Sequence, residues 1–252
     1  MLGYDQVSYH YTMLGIPIPS DQAVKIWRYM DLAKFVGLVD RGALFFSRAE
    51  LLGDPFEGSV TQAELLAREM DLRSGNLRKD DMDRLRKRTL WARKWTYLSC
   101  WHLSAYESAA MWKLYGASNS ALAIQSTFEN LNRALPEDCY LGIVTYVDYL
   151  FGSIMSASHP IRPYYFKRGS FVHEQEVRAA IQDPRVEHKD PDFESEGEPG
   201  KYVSVDINDL VEAIYVAPTA PGWFRDVVVA LAKRYDLKAP VRQSDLDSEP
   251  LF

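Results

Sequence analysis

The sequence predicts an α+β fold. Short runs rich in β-branched and aromatic residues alternate with amphipathic segments of unequal length, several neighbouring runs suit antiparallel pairing, and no internal repeat is visible. At 252 residues, 47% apolar and 25% charged, the composition suits a globular chain that buries one substantial core. The expected division is an irregular, tyrosine-rich arm over 1–25 and one domain over 26–252.

The elements follow in order. Ile26 to Met30 reads as a strand, and Asp31 as the N-cap of a helix whose apolar face carries Leu32, Phe35, Val36 and Val39 and which closes near Gly42. Ala43 to Ser47 is a second strand. Asp54-Pro55 sets a turn, with Glu57 placed to cap or bridge backbone donors. Thr61 to Arg93 reads as two helices broken near Ser74-Gly75-Asn76, and Trp95 to His102 as a strand. Glu107 to Gly116 is a compact helix ending in glycine, Ser120 to Ser126 a strand, FENLNRAL a short helix, and Tyr140 to Leu150 one continuous strand. FKRGS is a basic turn before the strand FVHEQEVRAAI, and an acidic loop that lacks periodicity occupies about 187–200. KYVSVDI, AIYVAP and PVRQS are the last strands, separated by the helical turn NDLVE and the helix WFRDVVVALAKRY.

Charge and motifs narrow the chemistry. A net charge of −6 gives no global basic field for nucleic acid or anionic lipid. The local basic stretch Arg78, Lys79, Arg84, Arg86, Lys87, Arg88, Arg93 and Lys94 reads first as a solvated helix face, with an anionic partner as the alternative. No secretory signal or membrane span is read, and Cys100 and Cys139 are expected as reduced thiols, so a cytoplasmic location is expected. Glycine-rich phosphate loops and the Gly-x-Ser-x-Gly elbow are absent. HEQEV lacks the second histidine of a zinc-protease helix, and no metal is expected.

In an extended FVHEQEVRAAI, Glu174, Glu176 and Arg178 share one face of the strand, with His173, Gln175, Val177 and Ala179 on the other. The face is either a solvated one whose acids Arg178 offsets, or a paired-carboxylate site. Arg28 and Tyr29 in the first strand, and Ser99 and Trp101 in Leu98-Ser99-Cys100-Trp101, precede it. Each has a plain structural alternative: an ion pair of Arg28 with Asp54 or Glu57, a local hydrogen bond for Ser99, and core packing for Trp101 and for Trp112 with Met111 and Tyr115.

In order and strand context, Arg28-Tyr29, Leu98-Ser99-Cys100-Trp101 and Glu174-x-Glu176 resemble the Arg, Ser, Glu pattern of the ADP-ribosyltransferase superfamily. At closer range RYMDLAKFVGLVDRGALFFSRAELLGDPFEGS, SCWHLSAYESAAMWKLYGASNSALAIQS, KRGSFVHEQEVRA and EAIYVAPTAPGWF resemble the bacterial domain of unknown function 2971 family from about Ile26 onward. Many members of that family carry Asn where this chain has Gly53. The superfamily resemblance implies a mainly antiparallel split sheet flanked by helices and NAD as substrate. It also implies transfer of ADP-ribose to a protein or nucleic-acid acceptor, in a toxin or phage-defence role. By the same resemblance Glu176 stabilises the ribosyl cation, Glu174 activates the acceptor, and Ser99 fixes Glu176. Arg28 holds the pyrophosphate, and Tyr29, Trp101 or Trp112 receives a flat ring. The alternatives are hydrolysis of NAD and a non-catalytic module that senses a nucleotide or docks a partner.

Overall fold

The computed structural model describes residues 9–115, 120–152, 159–187 and 192–248. Within the segment expected to be irregular, Tyr9–Tyr11 (β1) pairs antiparallel with Pro17–Pro19 (β2). This hairpin is pinned from below: Ile16 is buried over Gly142, where a Cβ would lie 2.2 Å from the isoleucine side chain. Glycine is therefore required at 142 for the hairpin to seat.

Lys25–Asp31 (β3) leads into helix α1 (Leu32–Arg41). The Asp31 side chain accepts from the Lys34 N–H at 2.8 Å, and Gly42 closes the helix in the left-handed region at φ 57°. Phe35, Leu38 and Val39 are buried, while Leu32 and Val36 are only partly covered, so the core stripe is narrower than the sequence suggests. Ala43–Arg48 (β4) follows. Helices α2 (Gln62–Ser74) and α3 (Lys79–Lys94) are separated at Gly75. α2 carries a capping box between Thr61 and Glu64 and buries none of its residues.

Thr96–Leu103 (β5), α4 (Ala109–Tyr115), Ala121–Thr127 (β6) and α5 (Phe128–Ala134) match the sequence reading closely. The expected end of α4 at Gly116 lies outside the described residues. The expected strand over Tyr140 to Leu150 is interrupted: β7 (Tyr140–Ile143) and β8 (Thr145–Val147) belong to different sheets. The break is at Val144, whose N–H donates to the Glu176 carbonyl at 2.9 Å. The expected basic turn is partly a strand, Phe166–Arg168 (β9), which pairs parallel with β8. Then come β10 (Glu176–Gln182), β11 (Gly200–Ser204), α6 (Ile207–Leu210), β12 (Ala213–Val216), α7 (Gly222–Arg234) and β13 (Val241–Gln243). Of the acidic segment, 188–191 lie outside the described residues. Near its end, Glu196 pairs with Lys94 at 2.6 Å, and Phe193 packs on Trp91.

Among the described residues the main sheet has nine strands, and only β12 and β13 run parallel within it. Its path is β11-β4-β5-β3-β6-β12-β13, with β10 and then β7 attached to the other edge of β5. On that other edge β10 pairs along the whole of β5, from Gln182↔Thr96 to Glu176↔His102. On the first edge two strands divide the length. β4 takes Tyr97 and Leu98, whereas β3 takes His102 and Leu103. The stretch Ser99-Cys100-Trp101 pairs with neither, so the sheet opens there between β3 and β4. One face is covered by the main core, which includes Phe35, Phe46, Tyr97, Trp101 and Phe224. On the other lie Trp27, Tyr29, Met111 and Trp112 in one cluster and Leu98, Tyr164 and Tyr165 in another. Among the described residues no helix is long and apolar enough to cross a membrane. Cys100 and Cys139 are both free thiols.

Candidate active site

The opening between β3 and β4 is the mouth of a cleft of about 800 Å³, a volume in the range of small-molecule sites. Because the free edge of β5 runs through it, side chains from both faces of the sheet reach the same space. Arg28 and Trp101 come from the core face, and Tyr29, Cys100, His102, Glu176 and Arg178 from the opposite one.

Arg28 bridges the gap. Its guanidinium donates to the Phe45 carbonyl of β4 at 2.9 Å and stands 5.8 Å from the centre of the Trp101 ring. Neither Asp54 nor Glu57 is its partner, and among the described residues it has no ion pair. Burial lowers it to about 10, which still leaves it cationic at neutral pH. A half-buried guanidinium without a carboxylate is suited to an anion brought from solution.

Glu174 and Glu176 meet, but not as neighbours on one strand. Gly169–Glu174 forms a 3-10 segment, Gln175 takes a left-handed conformation at φ 40°, and β10 starts only at Glu176. His102 secures this turn through its Nδ1, 2.7 Å from the Glu174 carbonyl oxygen. The turn swings Glu174 back so that both carboxylates accept from Lys167 of β9, Glu174 at 2.5 Å. The Phe171 ring covers the ammonium at 4.7 Å.

Behind the pair lies a chain of buried charges. Arg178, fully buried, donates from Nε to Glu176 at 2.5 Å and through both terminal nitrogens to Glu57, each at 2.7 Å. It also donates to the Tyr164 carbonyl at 2.6 Å. Glu57, expected to cap backbone donors, is instead the bidentate partner of Arg178. Beside it Asp54 pairs with Arg168 at 2.8 Å. Burial alone would raise Glu176, but Arg178, a hydrogen bond from Glu174 and Lys167 hold it well below the usual carboxylate range. Burial and the adjacent Glu176 push Glu174 up to about 7, against the pull of Lys167. The pair therefore divides its labour: one carboxylate stays ionised while the other titrates near neutrality. Burial, then Glu176, raises the Cys100 thiol, so it is protonated and a poor nucleophile.

Two expected residues stand elsewhere. Ser99 pairs with Ala179 in register and shares its face of the sheet, so it points away from Glu176 and cannot fix it. It is fully buried, and among the described residues its Oγ has no hydrogen-bond partner. Ser99→Ala is accordingly expected to leave stability unchanged or raise it by roughly 1 kcal/mol. Urea titration checks this, and a loss of more than about 1 kcal/mol would reveal a missed partner. Trp112 is core. Its ring meets Tyr29 edge-on at 4.9 Å and its Nε1 donates to Glu107 at 3.0 Å. Met111 and Tyr115 of the same helix reach the cleft wall instead. Tyr29 lines the cleft with its hydroxyl already accepting from the Ser108 N–H at 2.8 Å.

Glu57, Lys167 and the turn at Gln175 were not assigned to the site from sequence. Arg178 carried a signal, since its spacing from Glu176 puts both on one face.

No protein-family model matches the chain and no curated protein matches it by sequence. The expected likeness to the domain of unknown function 2971 family thus has no family model behind it. Among solved structures, Thermus sp. 2.9 DarT in complex with carba-NAD+ aligns over 89% of this chain and 96% of that one, at 10% identity and a TM-score of 0.37.

Proposed function

We propose that the protein is an ADP-ribosyltransferase-like enzyme that cleaves NAD and transfers ADP-ribose to a macromolecular acceptor. The observation that carries this reading is that Arg28, a cation with no ion pair among the described residues, and a carboxylate pair, Glu174 and Glu176, line one cleft where the sheet divides. NAD offers complementary groups: a pyrophosphate for Arg28, and a ribose whose C1′ becomes cationic as its bond to nicotinamide breaks. The bonding electrons leave with the nicotinamide nitrogen, and ionised Glu176 stabilises the oxocarbenium-like centre. The acceptor nucleophile then bonds to C1′ and gives its proton to Glu174, which is deprotonated above about pH 7. Trp101 or Tyr29 provides a flat contact for the departing ring. Ser99 and Trp112 have no part in this scheme.

Purified protein incubated with labelled NAD and cell extract is expected to release nicotinamide and label an acceptor. Glu176→Gln is expected to lower the rate by at least about 10²-fold. No release and no labelling, or a variant as active as the native chain, would defeat the reading. Release without labelling would identify water as the acceptor.

A second reading is favoured by one specific observation. Glu176 is already bound by both Arg178 and Lys167, which lowers its basicity and its freedom to engage a ribose. The cleft would then bind a nucleotide without turnover. NAD at 100 times its Kd would raise apparent stability by about 2.7 kcal/mol while remaining intact.

A further inference from the structure

Away from the carboxylates, the cleft ends in an aromatic platform. Phe45 of β4 and Tyr202 of β11 are direct cross-strand partners, with ring centres 5.1 Å apart, and they remain 39% and 53% exposed. Both line the cleft. The platform is held in place from two sides. Phe45 lies across Gly200, where a Cβ would come within 2.1 Å of its ring, so the phenyl can settle there only because residue 200 is glycine. Arg41 of α1 stacks on Tyr202 at 4.4 Å.

Arg41 belongs to a row of α1 residues spaced by four, Ala33, Gly37 and Arg41, which follow one another along one helix face. Ala33 and Gly37 also line the cleft. Gly37 is unexpected there. It sits in a helix interior, where glycine is disfavoured relative to alanine, and its backbone does not need the left-handed region. Among the described residues, a Cβ built on it meets nothing within 4 Å. No atom of the described residues explains the missing side chain; what it leaves is open space in the cleft, one helical turn from the Arg41–Tyr202 stack. The same platform adjoins the free cation, since the Phe45 carbonyl accepts from Arg28.

We infer that this end of the cleft is a nucleobase subsite: a planar base lies between the Gly37 face of α1 and the Phe45–Tyr202 platform, with the attached diphosphate reaching Arg28. The inference rests on the NAD reading for the identity of the base, adenine, but not for the existence of the slot. Glycine at 37 determines specificity by leaving room that any larger side chain would fill.

Calorimetric titration with ADP and, separately, with nicotinamide mononucleotide, which lacks the adenine, tests it. Gly37→Leu and Tyr202→Ala are expected each to weaken ADP binding at least tenfold and to change nicotinamide mononucleotide binding less than twofold. The melting temperature of Gly37→Leu should stay equal or rise, because leucine is the better helix former. Gly37→Ala serves if the leucine variant does not fold, with a smaller loss for ADP. Absence of ADP binding by the native chain, or unchanged ADP affinity in folded Gly37→Leu and Tyr202→Ala, would overturn the subsite. ADP binding that depends on Gly37, without any cleavage of NAD, would uphold the subsite and defeat the enzymatic reading. NAD cleavage with a KM unmoved by Gly37→Leu would do the reverse.

Discussion

Arg178→Leu is expected to destabilise the protein by about 3–5 kcal/mol, the cost of stranding buried charges. The guanidinium is fully buried and joins Glu57, from the turn after β4, to Glu176, at the start of β10. Without it Glu57, 1% exposed, loses both of its short bonds, and the Tyr164 carbonyl loses a donor. Glu176 keeps Lys167. Arg178→Lys should recover only a minor part, because an ammonium cannot present two parallel N–H bonds to Glu57 while a third reaches Glu176. A second change, Glu57→Gln in the Arg178→Leu background, removes the stranded charge and should return part of the loss. Urea unfolding at neutral pH measures all three. A loss below about 1 kcal/mol for Arg178→Leu would mean that the network holds little of the fold.

The same network shows why the site was only partly legible in the sequence. Strand and helix periodicity located β3, β4, β5 and β6, and the caps of α1 at Asp31 and Gly42 could be named because they depend on neighbours a few residues away. Arg28 and Glu176 could be singled out by residue type in strand context. What separates Ser99 from Glu176 is parity: one step along β5 puts a side chain on the opposite face, and the register of β5 against β10 is a long-range property. Glu57 and Lys167 are 121 and 9 residues from the groups they bind, Arg178 and Glu176. Nothing local in GDPFEGS or FKRGS points to those partners. The reversal at Gln175 was hidden for a related reason. HEQEV alternates well enough for a strand, and a non-glycine residue in the left-handed region is unfavourable on its own, so only the tertiary contacts of Glu174 and His102 select it.

Those contacts make Lys167→Met the second large effect, and its signature is dependence on pH. In the native chain Glu174 has a folded value of about 7, above its ordinary 4.5. A carboxyl raised in this way contributes stability that is fully present below about pH 4.5 and is lost as pH rises through about 7. Lys167 limits that loss, because it pulls Glu174 down. Removing the ammonium leaves two buried carboxylates facing each other, and the sole remaining relief is to keep a proton on Glu174 to higher pH. Near pH 5, where Glu174 is protonated in both, the variant's deficit should be confined to the lost Lys167–Glu176 pair. Its deficit should then widen through pH 7 to 9, by about 1.4 kcal/mol for each unit by which Glu174 moves up. Melting curves collected across that range measure the widening, and carboxyl-labelled NMR places the titration itself. Lys167→Met combined with Glu174→Gln should flatten the dependence, since no second carboxylate remains to ionise. A deficit that stays constant with pH would show that Lys167 acts by packing under Phe171 and not as the shared counter-ion of the pair. If the enzymatic reading holds, the rising limb of NAD cleavage against pH must move upward by the same interval, because the proton that limits stability is the one Glu174 has to lose before it can accept another from the acceptor.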